Sequence, residues 1–353
     1  MTSYVPLVSV VLATGAVVAA GFAPPAQLKV DVALVNVVAT VLDDRGRYVA
    51  DLLPEDFSVY EDGQRQDIQH FTQSNDLPVS VGVILDTSGS MERKIDTATA
   101  AVERFVRQIH PDDDIFLAAF DDGPRLLEDF TDDRERLAAA LRRTRVGGAT
   151  ALYDALAMGV DHIRDGRHDK KAILLISDGE DTSSATTFEQ AQRYVRESEM
   201  LVYSLGIAPE TGGPLSERLP GGMPSPPTFP APGPFPIPLP FPFPNGGPRA
   251  GGPRTVPLPG AQRDVLDMGV LESFATISGG RTWLVSGGSD SRRNQISQAL
   301  DELADELRNQ YSIGYYPPHA LDDGQWHRIE IVTRDPRYRV RVRGDYYGGT
   351  DSR

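Results

Sequence analysis

The stretch Val81-Gly82-Val83-Ile84-Leu85-Asp86-Thr87-Ser88-Gly89-Ser90-Met91 decides how this chain is read. Its apolar run shows no polar alternation, which is the pattern of a parallel strand covered on both faces. The run stops at a carboxylate, Asp86, with hydroxyls following at alternate positions, Ser88 and Ser90. Open α/β sheets place their ligand sites beyond the carboxyl ends of the strands. Three oxygen side chains converging there suit a hard divalent cation, Mg2+ first, which takes oxygen ligands and leaves positions to water or a partner. The competing explanation is a plain turn, since Asp and Ser are ordinary turn formers.

Two later segments bear on that choice. Gly147-Gly148-Ala149-Thr150-Ala151-Leu152-Tyr153-Asp154 is a glycine-rich loop leading into a helical pattern, and residues 173–179 are a second apolar run ending in Asp178-Gly179. Taken with the Asp-x-Ser-x-Ser spacing of Asp86, Ser88 and Ser90, these segments resemble the three loops of the metal-ion-dependent adhesion site in von Willebrand factor type A (VWA) domains. The resemblance covers roughly residues 78–310 and is to the bacterial exported type. It implies that Thr150 stands at the metal-ligand threonine and Asp178 at the second acid, acting through water. It also implies a cation with few direct carboxylates, short of negative charge and completed by an Asp or Glu of a partner protein. Mg2+ is the expected ion, with Ca2+ and Mn2+ as alternatives. Thr150 as a mere helix cap and Asp178-Gly179 as a mere tight turn are the plainer readings.

Around these loops apolar strands and amphipathic helices alternate as a doubly wound, mostly parallel sheet requires. One helical face is marked by Ile95, Val102, Phe105, Val106 and Ile109; further helices follow Asp133 and Thr150; Thr187 and Gln190 form a capping box. A last stripe runs through Ile296, Leu300, Leu303 and Leu307.

The flanks read differently. Residues 29–42 are Val-rich, and residues 57–71 carry a hairpin signal at Asp62-Gly63. So few strands cannot bury both faces alone. Their expected partners are strands at 311–316, 326–333 and 338–343, giving a small β-sandwich built from both termini. The Arg339, Arg341, Arg343 stripe reads as a solvated sheet face, the alternative being a grip on an acidic partner. The expected organisation is therefore 1–26 signal peptide or anchor, 27–77 N-terminal β strands, 78–310 VWA domain, and 311–353 C-terminal β strands. A Pro/Gly-rich surface insertion at 209–260 interrupts the VWA part, with proline at alternate positions in 234–244. Such a run suits polyproline II rather than helix or central strand.

Composition excludes several classes. A net charge of −15 argues against nucleic-acid binding, which needs basic patches. The absence of cysteine removes disulfides, thiolate metal sites and a cysteine nucleophile. No His-Glu-x-x-His, Gly-x-Ser-x-Gly or phosphate loop is present, so no enzyme is expected. The six histidines are scattered and read as surface or satisfied residues. The apolar segment near the amino terminus implies export to the periplasm, cell envelope or medium, with membrane contact only if that segment stays uncleaved. The functional expectation is an exported protein-binding module of the adhesion type. The alternative is an envelope scaffold or assembly factor that uses the β domain and the proline-rich insertion.

Overall fold

The computed structural model describes residues 34–73, 77–198, 200–208 and 266–349. The expected leader or anchor and the Pro/Gly-rich insertion lie outside the described residues, as do the first residues of the initial expected strand. In chain order the first elements are β1 (Val35–Leu42), β2 (Phe57–Glu61), β3 (Gln64–Gln66) and β4 (Ile68–Gln73). There follow β5 (Ser80–Asp86), α1 (Ile95–Gln108), β6 (Asp114–Phe120), β7 (Pro124–Thr131), α2 (Arg134–Arg142), α3 (Leu152–Ile163), β8 (Lys171–Ser177) and α4 (Phe188–Glu197). The series continues through β9 (Leu201–Ile207), α5 (Met268–Ser278), β10 (Thr282–Val285) and α6 (Ser289–Arg308). It closes with β11 (Gln310–Tyr315), β12 (Trp326–Thr333), β13 (Arg339–Arg341) and β14 (Asp345–Tyr347).

The central sheet has the order β10-β9-β8-β5-β6-β7 and is parallel except for β7, which runs antiparallel to β6. Every residue of β5, β6 and β9 is buried, as continuous apolar runs require of strands covered on both faces. One face packs on α1, α2 and α6 through Val83, Phe105, Leu137 and Leu303. The other packs on α3, α4 and α5 through Ile84, Leu156, Val195 and Phe274. Two close approaches fix these layers. A Cβ on Gly82 would lie 2.4 Å from the Phe116 ring, and one on Gly159 would lie 2.3 Å from Ile84 Cδ1. Edge strand β7 was not foreseen, because Pro124, Arg125, Glu128 and Asp129 break its apolar pattern. As an edge it needs only one partner, and β6 supplies it.

The strands before β5 and after α6 build the flanking β domain. One sheet has the order β13-β1-β11-β4 and the other β14-β12-β2-β3. Their inner faces meet in a core of Val37, Ala39, Val59, Ile313, Ile329 and Ile331, with the Phe57 and Tyr311 rings 5.1 Å apart. The Asp62-Gly63 turn between β2 and β3 takes positive φ at both residues, 48° and 79°, as expected for this dipeptide. The arginine stripe departs from expectation. β13 spans only Arg339–Arg341, and Arg341 turns inward to pair with the buried Glu306 of α6. Arg343 is buried too, over the Tyr346 ring.

Candidate functional site

The chain leaves β5 toward β6 on one side, then returns to β8 on the other. That reversal is the topological switch point, where a crevice opens beyond the strand ends. Asp86 closes β5 beside it, and Asp178 follows directly on the end of neighbouring β8.

Strand β5 delivers the first loop. The Thr87 N–H and hydroxyl both donate to the Phe120 carbonyl, at 2.8 and 2.9 Å, which ties the turn to the end of β6. The Ser88 N–H donates to Asp86 Oδ1 at 2.9 Å and its hydroxyl to the same oxygen at 2.6 Å. Ser88 Oγ lies 3.1 Å from Ser90 Oγ, so the three expected side chains form one cluster. Buried Met91 plugs the short 3-10 turn beneath them.

The second loop is stitched to the first through backbone. The Gly147 N–H donates to the Thr87 carbonyl at 2.9 Å and the Gly89 N–H to the Gly148 carbonyl at 3.2 Å. Thr150 itself is buried. Its N–H donates to Thr182 Oγ1 at 2.9 Å, and its carbonyl accepts from the N–H groups of Thr182 and Ser183. The loop after β8 is thereby bound to the loop before α3. Asp181 accepts from the Ser184 hydroxyl at 2.5 Å and the Tyr153 N–H at 3.3 Å. Asp154 accepts from the N–H groups of Ala185 and Thr186.

Asp178 lies in the third loop and is 1% exposed. Its carbonyl accepts from the Asp267 N–H at 2.9 Å, and Gly179 follows at φ +79°. A Cβ on Gly179 would stand 2.3 Å from the Asp267 carbonyl oxygen, so only glycine lets the two segments approach.

Two residues belong to this site that sequence reasoning missed. The Ser177 hydroxyl donates to Asp86 Oδ2 at 2.6 Å and bridges the ends of β5 and β8. Lys94, buried just before α1, pairs with Asp178 Oδ2 at 3.1 Å. Lys94 left one signal: a cation at a helix amino terminus opposes the helix dipole, so it needs a partner elsewhere. Asp178 Oδ1 remains buried with no hydrogen-bond partner. Burial, then the charge of Asp178, push the Asp86 carboxyl up to about 7.

The donor set is thus two carboxylates and hydroxyl oxygens, with no nitrogen or sulfur ligand among the five expected residues. A hard divalent cation fits such an all-oxygen set, and one buried oxygen of it, Asp178 Oδ1, has no hydrogen-bond partner.

Residues 81–180 match the family model described as von Willebrand factor type A domain. An uncharacterized protein of Synechocystis, sll0103, is 29% identical over 108 residues, 30% of this chain; the match spans about a quarter of that relative's length, 26%. Two solved structures are similar in part. A von Willebrand factor type A protein from Catenulispora acidiphila is 12% identical, covers 88% of this chain and 72% of its own, and has a TM-score of 0.45. The vWF domain of the type V pili tip protein Mfa5 from Porphyromonas gingivalis is 14% identical, covers 65% and 95%, and has a TM-score of 0.44.

Proposed function

We propose that the chain carries a von Willebrand factor type A domain, the family whose model matches residues 81–180, and that this domain binds a protein partner through a divalent cation held by Asp86, Ser88, Ser90, Thr150 and Asp178. Domains of this family are generally interaction modules rather than enzymes. The observation that carries the reading is the pair of buried carboxylates at the switch point, Asp86 surrounded by hydroxyls and Asp178 with one oxygen unpartnered. Mg2+ is the first candidate. The bound ion would supply a Lewis-acidic positive charge at the crevice.

Each residue then has a task. Ser88 and Ser90 offer neutral oxygens, which leave the cation's charge uncompensated. Ser177 holds Asp86 in orientation through its 2.6 Å bond. The unneutralised charge favours a carboxylate from outside, an Asp or Glu of the partner. The assignment of 27–77 and 311–353 to one β domain around a VWA domain of 78–310 belongs to the same proposal. So does export, with the periplasm, envelope or medium as the place of action. No helix among the described residues is long and apolar enough to cross a membrane.

The test has two arms. Calorimetry with Mg2+ on the purified chain should give one site that Asp86→Ala and Thr150→Ala each remove. The immobilised chain should retain a partner from envelope extract in Mg2+, release it in EDTA, and retain nothing as Asp86→Ala. Partner retention indifferent to both EDTA and Asp86→Ala contradicts the proposal. Deleting 220–259 distinguishes the scaffold alternative, since cation-bridged binding should survive it.

A further inference from the structure

A second cluster of chemistry-bearing side chains lies in the β domain, apart from the VWA loops. Glu61 ends β2, His327 lies in β12, and His319 and Asp323 sit in the segment joining β11 to β12. Glu61 and His327 are buried, at 2% and 6% exposure. One ligand atom from each of Glu61, His319 and His327 can be chosen so that all lie within 4.8 Å of one another. Asp323 Oδ2 is 3.0 Å from His327 Nε2 and 3.4 Å from His319 Nδ1.

The hydrogen-bond roles around the two rings conflict. His319 Nδ1 faces the Ala320 carbonyl at 2.9 Å, and a carbonyl only accepts, so this nitrogen donates. His327 Nδ1 faces Asp62 Oδ2 at 2.8 Å, and a carboxylate accepts there as well. Both Nε2 atoms are then acceptors in neutral rings. Yet His319 Nε2 faces Glu61 Oε1 at 2.7 Å, and His327 Nε2 faces Asp323 Oδ2 at 3.0 Å. Acceptor meets acceptor twice. Protons on both inner nitrogens would mend this by making both rings cationic beside Glu61, Asp62 and Asp323. The rings are stacked, with centroids 3.7 Å apart and planes 16° apart, so two like charges would lie face to face. One divalent cation beside Glu61, His319 and His327 would offer a positive charge to both rings and to the Glu61 carboxylate without those two protons.

We propose that Glu61, His319 and His327 form a second divalent-cation site, of the zinc class, with Asp323 beside the two rings. Two imidazoles with a carboxylate are ligands of the kind zinc takes, leaving a fourth position to water, unlike the all-oxygen set of the loops at Asp86. The surroundings are those of an oriented site. Asp62 and the Ala320 carbonyl hold the outer ring nitrogens, the arrangement that fixes tautomer and aim in metal-bound histidine. The Tyr346 hydroxyl donates to Glu61 Oε2 at 3.0 Å, and the Gln325 N–H to Asp323 Oδ1 at 2.9 Å. Gly348 passes so close that a Cβ there would lie 2.4 Å from Asp323 Oδ1. A cation at this point ties β2, β12 and the β11–β12 connection together.

The test uses the full chain, untagged, as Asp86→Ala, so that the VWA site is disabled. After chelator treatment, calorimetry with ZnCl2 should give one zinc per chain. His319→Ala and His327→Ala in that background should each weaken it about 100-fold or more. X-ray absorption at the zinc edge should show two imidazole nitrogens at about 2.0 Å. Zinc affinity unchanged in both histidine variants, or a zinc environment without imidazole, overturns the proposal. If circular dichroism shows that either variant has not folded, the absorption spectrum of the Asp86→Ala chain decides alone. Loss of Mg2+ binding with zinc retained separates this site from the VWA one.

Discussion

Asp86 carries the most direct pH consequence. Its carboxyl titrates near 7 in the folded, cation-free chain because it is buried and faces Asp178. In the unfolded chain it titrates near the ordinary value of about 4. Between these values the folded state holds a proton that the unfolded state has released. Stability therefore falls as pH rises from about 4 to about 7, and is flat in this respect beyond. Urea unfolding in EDTA across that window should show the fall, and Asp86→Asn should remove it. Added Mg2+ should restore stability at and above pH 7, because the cation replaces the lost proton and binds only the folded state. Lys94 gives a second prediction. Lys94→Met leaves Asp178 buried and unpaired, since both side chains are almost wholly covered. Breaking such a pair costs about 3–5 kcal/mol. Urea unfolding in EDTA should show a loss of that size, and saturating Mg2+ should recover part of it. What sequence could not supply at this scale were partners. Asp86, Ser88 and Ser90 are neighbours in the chain and were legible. Ser177 and Lys94 acquire their roles only when β8 and α1 are packed beside β5, and His319 and His327 only when the two sheets close over them.

Among elements, local rules were the most legible. The Thr187 capping box is present in the structure, with its hydroxyl accepting from the Gln190 N–H at 3.2 Å and Gln190 Oε1 accepting from the Thr187 N–H at 2.9 Å. Thr187→Ala should cost about 1 kcal/mol in urea unfolding and leave cation binding unchanged, because Thr187 is none of the five proposed ligands. Gly179→Ala should behave otherwise. It meets both an unfavourable positive φ and a backbone oxygen 2.3 Å away, so the loop carrying Asp178 must shift. Mg2+ affinity measured by calorimetry should drop about 10-fold or more, for a stability loss of about 1–3 kcal/mol. The same rules explain the misses. Strand β7 hides behind charged residues because an edge strand needs only one apolar side, and it pairs with β6 through two register irregularities. The alternating arginines near the carboxyl terminus obeyed the period-2 rule, but the face they line is not solvent throughout. Arg341 finds Glu306, which no pattern within β13 announces.

Across the whole molecule, Glu306 joins the parts. It is fully buried on α6 and accepts from Tyr203 of β9 at 2.8 Å, from Thr40 of β1 at 3.4 Å and from Tyr48 at 3.3 Å, besides pairing with Arg341. The layers around the central sheet and the β domain thus share one buried carboxylate. Glu306→Ala should cost about 3–5 kcal/mol, and calorimetric unfolding should split from one transition into two as the β domain loses its hold on α6. The doubly wound class and the sandwich from both termini were legible because hydrophobic period reports how many faces of an element are covered. The seam between them was not, since it depends on a few polar groups far apart in the chain.

The central claim is that three separate loops deliver five residues to one divalent cation. Anomalous diffraction from crystals of the full chain soaked in Mn2+ tests it most directly. The account predicts a peak among Asp86, Ser88, Ser90 and Thr150, with Asp178 in direct or one-water contact. A structure with Mn2+ elsewhere and none between these loops contradicts it.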